Sequence, residues 1–320
     1  MQIYLAAVYS NSYMPGMNRF VKLNERERDI VENLPHILES WHYVGKQSFV
    51  DHMRTNGAKI FLDSGAFSAW TLGVDLSVRE YCDYIHRNSD ILRNEDGTVM
   101  ASVLDGIGDP LATYRNQLEM EARGVQALPC FHAGEDERYL EWYVQNYEYI
   151  TLGGMVGSST KQLMLWLDRV WDKYLVDGSG NPRLKVHGFG ITAVPIMEAY
   201  PWYSVDSSSW IQSAAFGSVI MPGLSETNPA MPMSVSEKSP SRHDSGQHAT
   251  TLTEPECDRV FNLLEEQGFT YERLSTVYES RAAYNLWAFG VVNALIDANK
   301  SDRFKQRTAE LPFEWAYQDA

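Results

Sequence analysis

Cysteine is scarce in this chain: Cys82, Cys130 and Cys257 are the only three among 320 residues. They are odd in number, far apart and without a CxxC pair. That excludes a disulfide framework and a cysteine-rich zinc site, and the thiols read as buried. Cations are also in deficit, with 27 Lys and Arg against 42 Asp and Glu and a formal net charge of −15. Non-specific affinity for nucleic acid comes largely from Lys and Arg, so this balance argues against a surface coated with phosphate-binding residues. A local basic groove stays compatible with it. No apolar run approaches the roughly 20 residues of a bilayer span, and no basic segment leads into an apolar one at the N-terminus. Neither a membrane span nor a signal peptide is expected, and a cytoplasmic location follows. HExxH and HxH patterns are missing too.

The composition is otherwise that of a soluble globular protein, 44% hydrophobic and 22% charged, with enough apolar residues for a large core. Eight apolar, β-favouring runs recur along it: IYLAAVY from Ile3, KIFLD from Lys59, ASVLD from Ala101, VQALPCFH from Val125, YITLGG from Tyr149, LKVHGFG from Leu184, YSVD from Tyr203 and GSVIMPG from Gly217. Helical patterns lie between them, starting near Ser77, Pro110, Glu135 and Ser159, and several open on capping or first-turn residues. The stretch from Asn24 to Thr55 is long enough for two helices.

Strand-like runs alternating with helices predict a parallel sheet, and eight of them predict an α/β fold of the (β/α)8 TIM-barrel class with additional C-terminal helices. The expected organisation is a barrel core over residues 1–223, a polar loop over 224–252 on the active-site face, and C-terminal helices over 253–320. The tail LPFEWAY is expected to pack back on the barrel.

In such barrels the chemistry sits at the carboxyl ends of the strands. Those ends carry Asp63, Asp105, His132, Gly153, Gly154, His187, Gly188 and Asp206. Singly, an Asp there is an ordinary turn former or helix cap, and a His an ordinary hydrogen-bonded core residue. Jointly, converging carboxylates suit nucleophilic and acid/base work at a sugar carbon, or metal binding together with the histidines. The missing HExxH and HxH patterns favour the first.

The motifs FLDSGAF, LGGMVG and SVDSS resemble, in order and spacing, those of the tRNA-guanine transglycosylase superfamily from Met1 to about Gly223. The likeness is greatest to its DpdA-type phage and bacterial branch, which exchanges guanine in DNA for a 7-deazaguanine. The resemblance implies Asp206 as the nucleophile at C1′ of the target nucleoside and Asp63 as the general acid/base. It implies Asp105 as the reader of the guanine amino edge and the backbone of Gly153 and Gly154 as donors to the base carbonyl. Ser64, His132 and Gly188 fall in the same pocket, and Phe67 and His187 fall above and below the base plane. DNA and a free 7-deazaguanine base such as preQ0 are the implied partners, with no metal and no cofactor.

Departures from the family pattern are Ala66 and Ser68 after the DSG, SSSW after Asp206, and the missing CxCxxC zinc site. The last moves the expectation from tRNA toward DNA. A tRNA transglycosylase without zinc and a metal-dependent TIM-barrel hydrolase stay open as alternatives. The cations expected on phosphate are Lys238 and Arg242 of the polar loop, with Arg273 and Arg281 as the fallback path.

Overall fold

The structure is a computed structural model that describes residues 1–155, 157–300 and 304–305; the LPFEWAY tail lies outside the described residues. Its strands are β1 (Gln2–Ala6), β2 (Ile37–Ser40), β3 (Ile60–Asp63), β4 (Asn94–Glu95), β5 (Thr98–Val99), β6 (Cys130–His132), β7 (Tyr149–Gly153), β8 (Lys185–Gly188), β9 (Ser204–Ser207), β10 (Ser218–Ile220) and β11 (Pro232–Ser234). Seven of them form one parallel sheet in the order β3-β2-β1-β9-β8-β7-β6. β4 and β5 make a small separate hairpin.

Two of the expected staves are corrected. The run from Gly217 is not part of this sheet: β10 pairs antiparallel with β11 and packs on the helices Ser209–Ala215 and Tyr278–Ala298. Its place is taken by β2, whose four residues ILES carry Glu39 in their middle and so fall short of an apolar run. The segment after Met100 forms isolated bridges rather than a strand, Leu62 to Ala101 and Ser102 to Leu128. Ser102 N donates to Leu62 O at 2.9 Å and Leu128 N to Ala101 O at 2.8 Å, so this segment touches both ends of the seven-stranded sheet.

The helices begin where side-chain oxygens meet the orphan amides of a first turn. Ser77, Asp109, Asp136 and Ser159 cap Val78–Arg87, Pro110–Ala122, Glu137–Asn146 and Thr160–Val170, so the helices expected near Ser77, Pro110 and Ser159 start there and the one expected from Glu135 starts two residues later. Asn24 and Glu27 form a reciprocal capping box on Glu25–Glu32.

Successive strand residues face opposite sides of a sheet, and the two faces here are distinct. Ile3, Leu5, Ile37, Ile60, Leu62, Phe131, Ile150, Leu152, Val186 and Val205 join the large core under the helices. The alternate residues Tyr4, Ala6, Leu38, Phe61, Met100, Leu128 and Tyr149 form a second apolar cluster of their own. Phe61 of the end strand β3 and Leu128, two residues before the other end strand β6, meet in that cluster, so the sheet is curled around it without closing into the expected barrel.

The long helix Tyr278–Ala298 is buried along most of its length and packs on β1 and on Glu25–Glu32. No helix among the described residues is long and apolar enough to cross a membrane. The expected polar loop has structure of its own: β11, a single turn at Ala249–Thr251, and a buried His248 whose Nε2 meets Ser236 O at 3.1 Å.

Glu27 ties the helix Glu25–Glu32 to the C-terminal helices. It is fully buried, accepts from Arg273 Nε at 2.7 Å and Nη2 at 2.6 Å, and from Ser280 Oγ at 2.5 Å. Burial alone would raise its carboxyl, but the donors Arg273, Ser280 and Asn24 outweigh it and hold the group below its ordinary value. Arg273 is therefore engaged within the protein, and Arg281 is buried against the carbonyls of Leu274 and Ala214. Neither is a free cation for a phosphate path.

Removing one partner of a buried pair leaves the other uncompensated. Glu27→Ala should therefore cost on the order of 3 kcal/mol at neutral pH, the lower part of the usual range because Arg273 keeps some solvent contact. A carboxyl with a depressed folded-state value stabilises above its unfolded value, about 4.3, and loses that contribution as pH falls through the folded one. Urea melts should thus show the gap between variant and wild type closing below about pH 4. A gap of the same size in acid as at neutral pH would contradict this role.

Candidate active site

One pleat beyond the inner apolar cluster, the same inward face turns polar. Two residues after Leu38, Phe61, Met100, Leu128 and Tyr149 come Ser40, Asp63, Ser102, Cys130 and Thr151, and two after Ser204 comes Asp206. Strand register sets Ser40 beside Asp63, Tyr4 beside Asp206 and His132 beside Gly153. A cavity of about 1620 Å3 opens at the opposite, amino-terminal end of the strands, among Gln2, Tyr149, Lys185 and Tyr203, and holds none of these acids.

Asp63 sits in a ring of donors. Its Oδ2 accepts from Ser40 Oγ at 2.7 Å and from the Gly65 amide at 3.0 Å, and its Oδ1 from Ser102 Oγ at 3.4 Å. Burial pushes the carboxyl up; the Ser40 hydroxyl opposes that, the Asp206 charge adds to it, and the net direction is upward. Gly65 permits the tight turn, with φ +75°, where a Cβ would lie 2.6 Å from His42 Cβ.

Asp206 is held differently. Its Oδ1 accepts from the Gly190 amide at 2.8 Å and faces His187 Nε2 at 3.3 Å. His187 has no accessible surface and sits against the edges or faces of Tyr4, Phe61 and Phe189. Its Nδ1 lies 2.7 Å from Ser204 Oγ, which lies 2.7 Å from Tyr149 OH. Burial holds the Tyr149 phenol far above its ordinary value. One arrangement satisfies every atom of a neutral imidazole: Tyr149 donates to Ser204, Ser204 donates to Nδ1, and Nε2–H donates to Asp206. His187 thus orients Asp206 and offers no face on which a base could stack.

The third group gathers at β6. His132 Nδ1 lies 3.1 Å from Glu135 Oε1, and the His132 amide donates to Glu135 Oε2 at 3.0 Å. Its Nε2 faces Cys130 Sγ at 3.6 Å and Asp105 Oδ1 at 3.8 Å. Asp105 Oδ1 is buried without a hydrogen-bond partner. Burial pushes the Asp105 carboxyl up to about 7, while His132 opposes it and Asp63 and Glu135 add to it. Cys130, with Glu135 and Asp105, pushes the His132 imidazole up.

Gly153 and Gly154 make room for this turn. A Cβ on Gly153 would lie 2.8 Å from His132 Cδ2 and 3.2 Å from Cys130 Sγ, and Gly154 adopts φ +70° against Ala133 and His132. Gly188 lacks a side chain for a packing reason, since a Cβ would meet Ile191 Cγ1 at 2.8 Å and Trp202 at 3.0 Å. Ser64 is fully buried and its Oγ accepts from the Ala66 amide at 3.3 Å, a turn-forming role.

Phe67 is 60% exposed and sits 6.2 Å from Trp70, itself 62% exposed, on the short helix that follows Asp63. Lys238 and Arg242 are exposed, Arg242 donating to Glu237 O at 2.8 Å.

Ser40, Ser102, Cys130, Glu135, Tyr149 and Ser204 belong to the site without having been singled out in the sequence. Two-residue counting along CFH pairs Cys130 with His132, and the same counting along SVD pairs Ser204 with Asp206. Ser40 and Ser102 give no such signal, because each meets Asp63 only through strand pairing. In comparisons with known proteins, no protein-family model matches the chain and no curated protein matches it.

The relay to Asp206 has a direction, and it can be tested by stability alone. Ser204→Ala strands the buried Nδ1 acceptor and should cost about 1–3 kcal/mol. Tyr149→Phe leaves the Ser204 donor in place and should cost only about 0.5–1.5 kcal/mol. Denaturant melts of the two variants decide it; a larger loss for Tyr149→Phe would reverse the proposed polarity.

Proposed function

We propose that this chain is a base-exchange enzyme that replaces guanine in DNA with a 7-deazaguanine through a covalent glycosyl-aspartate. The reading takes the seven strands together with segment 100–103 as a (β/α)8 barrel whose strand ends form the reaction mouth. One observation carries it: two inward carboxylates, Asp63 and Asp206, share a mouth while held in unlike surroundings. Two carboxylates with such different hydrogen-bond partners suit one nucleophile and one acid/base.

Both hydrogen bonds to Asp206 fall on Oδ1, which leaves Oδ2 to attack C1′. As that C–O bond forms, the glycosidic C–N bond breaks and the departing guanine takes a proton from Asp63, whose raised carboxyl suits an acid. The incoming base returns a proton to Asp63 as its nitrogen attacks C1′, and the ester bond to Asp206 breaks. The atoms and charges of the protein are restored. The Asp105 carboxylate offers acceptors to a ring N–H and the exocyclic amine beside it, a pair of adjacent donors that adenine does not present.

The exposed pair Phe67 and Trp70, on the helix Ala66–Thr71 that follows Asp63 in the chain, provides apolar faces for bases turned out of the stack. Lys238 and Arg242 are exposed cations open to phosphate contact.

The test is incubation with labelled guanine or a 7-deazaguanine and either duplex DNA, single-stranded DNA or tRNA, with incorporation measured by mass spectrometry of the digested polymer. DNA should be labelled and tRNA not. Asp206→Ala should abolish exchange and the covalent species, and Asp63→Asn, which cannot protonate the departing guanine, should lose turnover. Substantial exchange by Asp206→Ala removes that residue from the role.

Alanine at Phe67 and Trp70 should weaken binding to single-stranded DNA by roughly 5- to 150-fold for each stacked base lost. Unchanged affinity in a fluorescence titration of the double variant would place the bases elsewhere.

A further inference from the structure

The cluster at β6 does more than line a base pocket. Cys130 and His132 stand two residues apart on one strand, so their side chains share a face. Asp105 brings a carboxylate oxygen to the same point from the loop that follows segment 100–103. The three donor atoms, Asp105 O, Cys130 Sγ and a His132 ring nitrogen, lie within 4.8 Å of one another.

Their spacing is that of ligands around a small tetrahedral ion. Zinc binds nitrogen at about 2.0–2.1 Å and sulfur at about 2.3 Å, which sets ligand pairs about 3.3–3.6 Å apart at the tetrahedral angle. The observed separations from His132 Nε2 are 3.6 Å to sulfur and 3.8 Å to oxygen. Small side-chain adjustments close the rest.

The surroundings point the same way. A carboxylate only accepts, so the contact between His132 Nδ1 and Glu135 places a proton on Nδ1 and leaves Nε2 as the ring nitrogen that faces the cluster and would bind an ion on losing its own proton. Glu135 also holds the His132 amide, which fixes the ring's base. A histidine backed in this way by a carboxylate is the usual outer arrangement of a metal-binding imidazole. Asp105 Oδ1 faces His132 Nε2 at 3.8 Å and is buried without a hydrogen bond, on a side chain only 9% exposed. Gly153 keeps the neighbouring space open, because a Cβ there would crowd both His132 Nε2 and Cys130 Sγ.

From this geometry we infer that Asp105, Cys130 and His132 form a binding site for a zinc-like divalent ion, positioned by Glu135, with a fourth position for water or another ligand. Coordination releases the Cys130 thiol proton to solvent, and any proton on His132 Nε2 leaves the same way. The site stands apart from the base-exchange reading but shares Asp105 with it, so a metal and a base edge on that oxygen exclude one another.

The probe is Co2+ added to chelator-treated full-length protein without nucleic acid, read by its visible spectrum. Wild type and Cys257→Ser should both saturate at one ion per chain with a thiolate-to-cobalt charge-transfer band that Zn2+ displaces. Cys130→Ser should lose the band, and Glu135→Gln should keep it with affinity lowered about 10- to 100-fold. Glu135 stays outside the coordination shell, so its graded loss guards against a Cys130 variant that fails to fold. Absence of the band in wild type overturns the site, as does its survival in Cys130→Ser or full affinity in Glu135→Gln. None of these readings depends on base exchange.

Discussion

The two-residue pleat of the parallel strands is the constraint on which the site depends. Because every second side chain points inward, an apolar layer of Leu38, Phe61, Met100, Leu128 and Tyr149 obliges the next inward layer to come from Ser40, Asp63, Ser102, Cys130 and Thr151. A one-residue slip of β3 or β9 would bury Asp63 or Asp206 against the helices and turn an apolar residue into the mouth. The large core on the outer face and the small cluster on the inner face hold the register from both sides.

Placing several acids at one mouth carries an electrostatic cost, and the structure meets it with local donors rather than with cations. Asp63 has two hydroxyls and an amide, and Asp206 has an amide and an imidazole. Of the three, only Asp105 has a buried oxygen without a hydrogen-bond partner. That asymmetry separates the three carboxyls chemically, and it is why the cluster around Asp105 invites a ligand while the other two acids are already furnished.

The C-terminal helices are part of the scaffold. Glu27, buried under Arg273 and Ser280, joins the helix Glu25–Glu32 to Tyr278–Ala298, which in turn lies against β1. The register partner of Tyr4 on β1 is Asp206, so these helices back the strand pair that carries the nucleophile of the proposed reaction.

Much of this was legible in the sequence. Runs such as KIFLD and YSVD announce a strand and its terminal acid through local apolar patterning, and Ser77, Asp109 and Ser159 announce helix starts through local capping chemistry. Both signals act over a few residues of the chain. β2 was hidden because four residues with Glu39 among them carry too little apolar pattern. The run from Gly217 misled because a short β-favouring stretch looks the same in a hairpin as in a parallel sheet. Which strands are neighbours, and hence that Ser40 meets Asp63 or that Asp105 meets Cys130 and His132, only the tertiary structure decided. Backbone hydrogen bonds between strands join residues distant in sequence, and no local pattern encodes which partner they find.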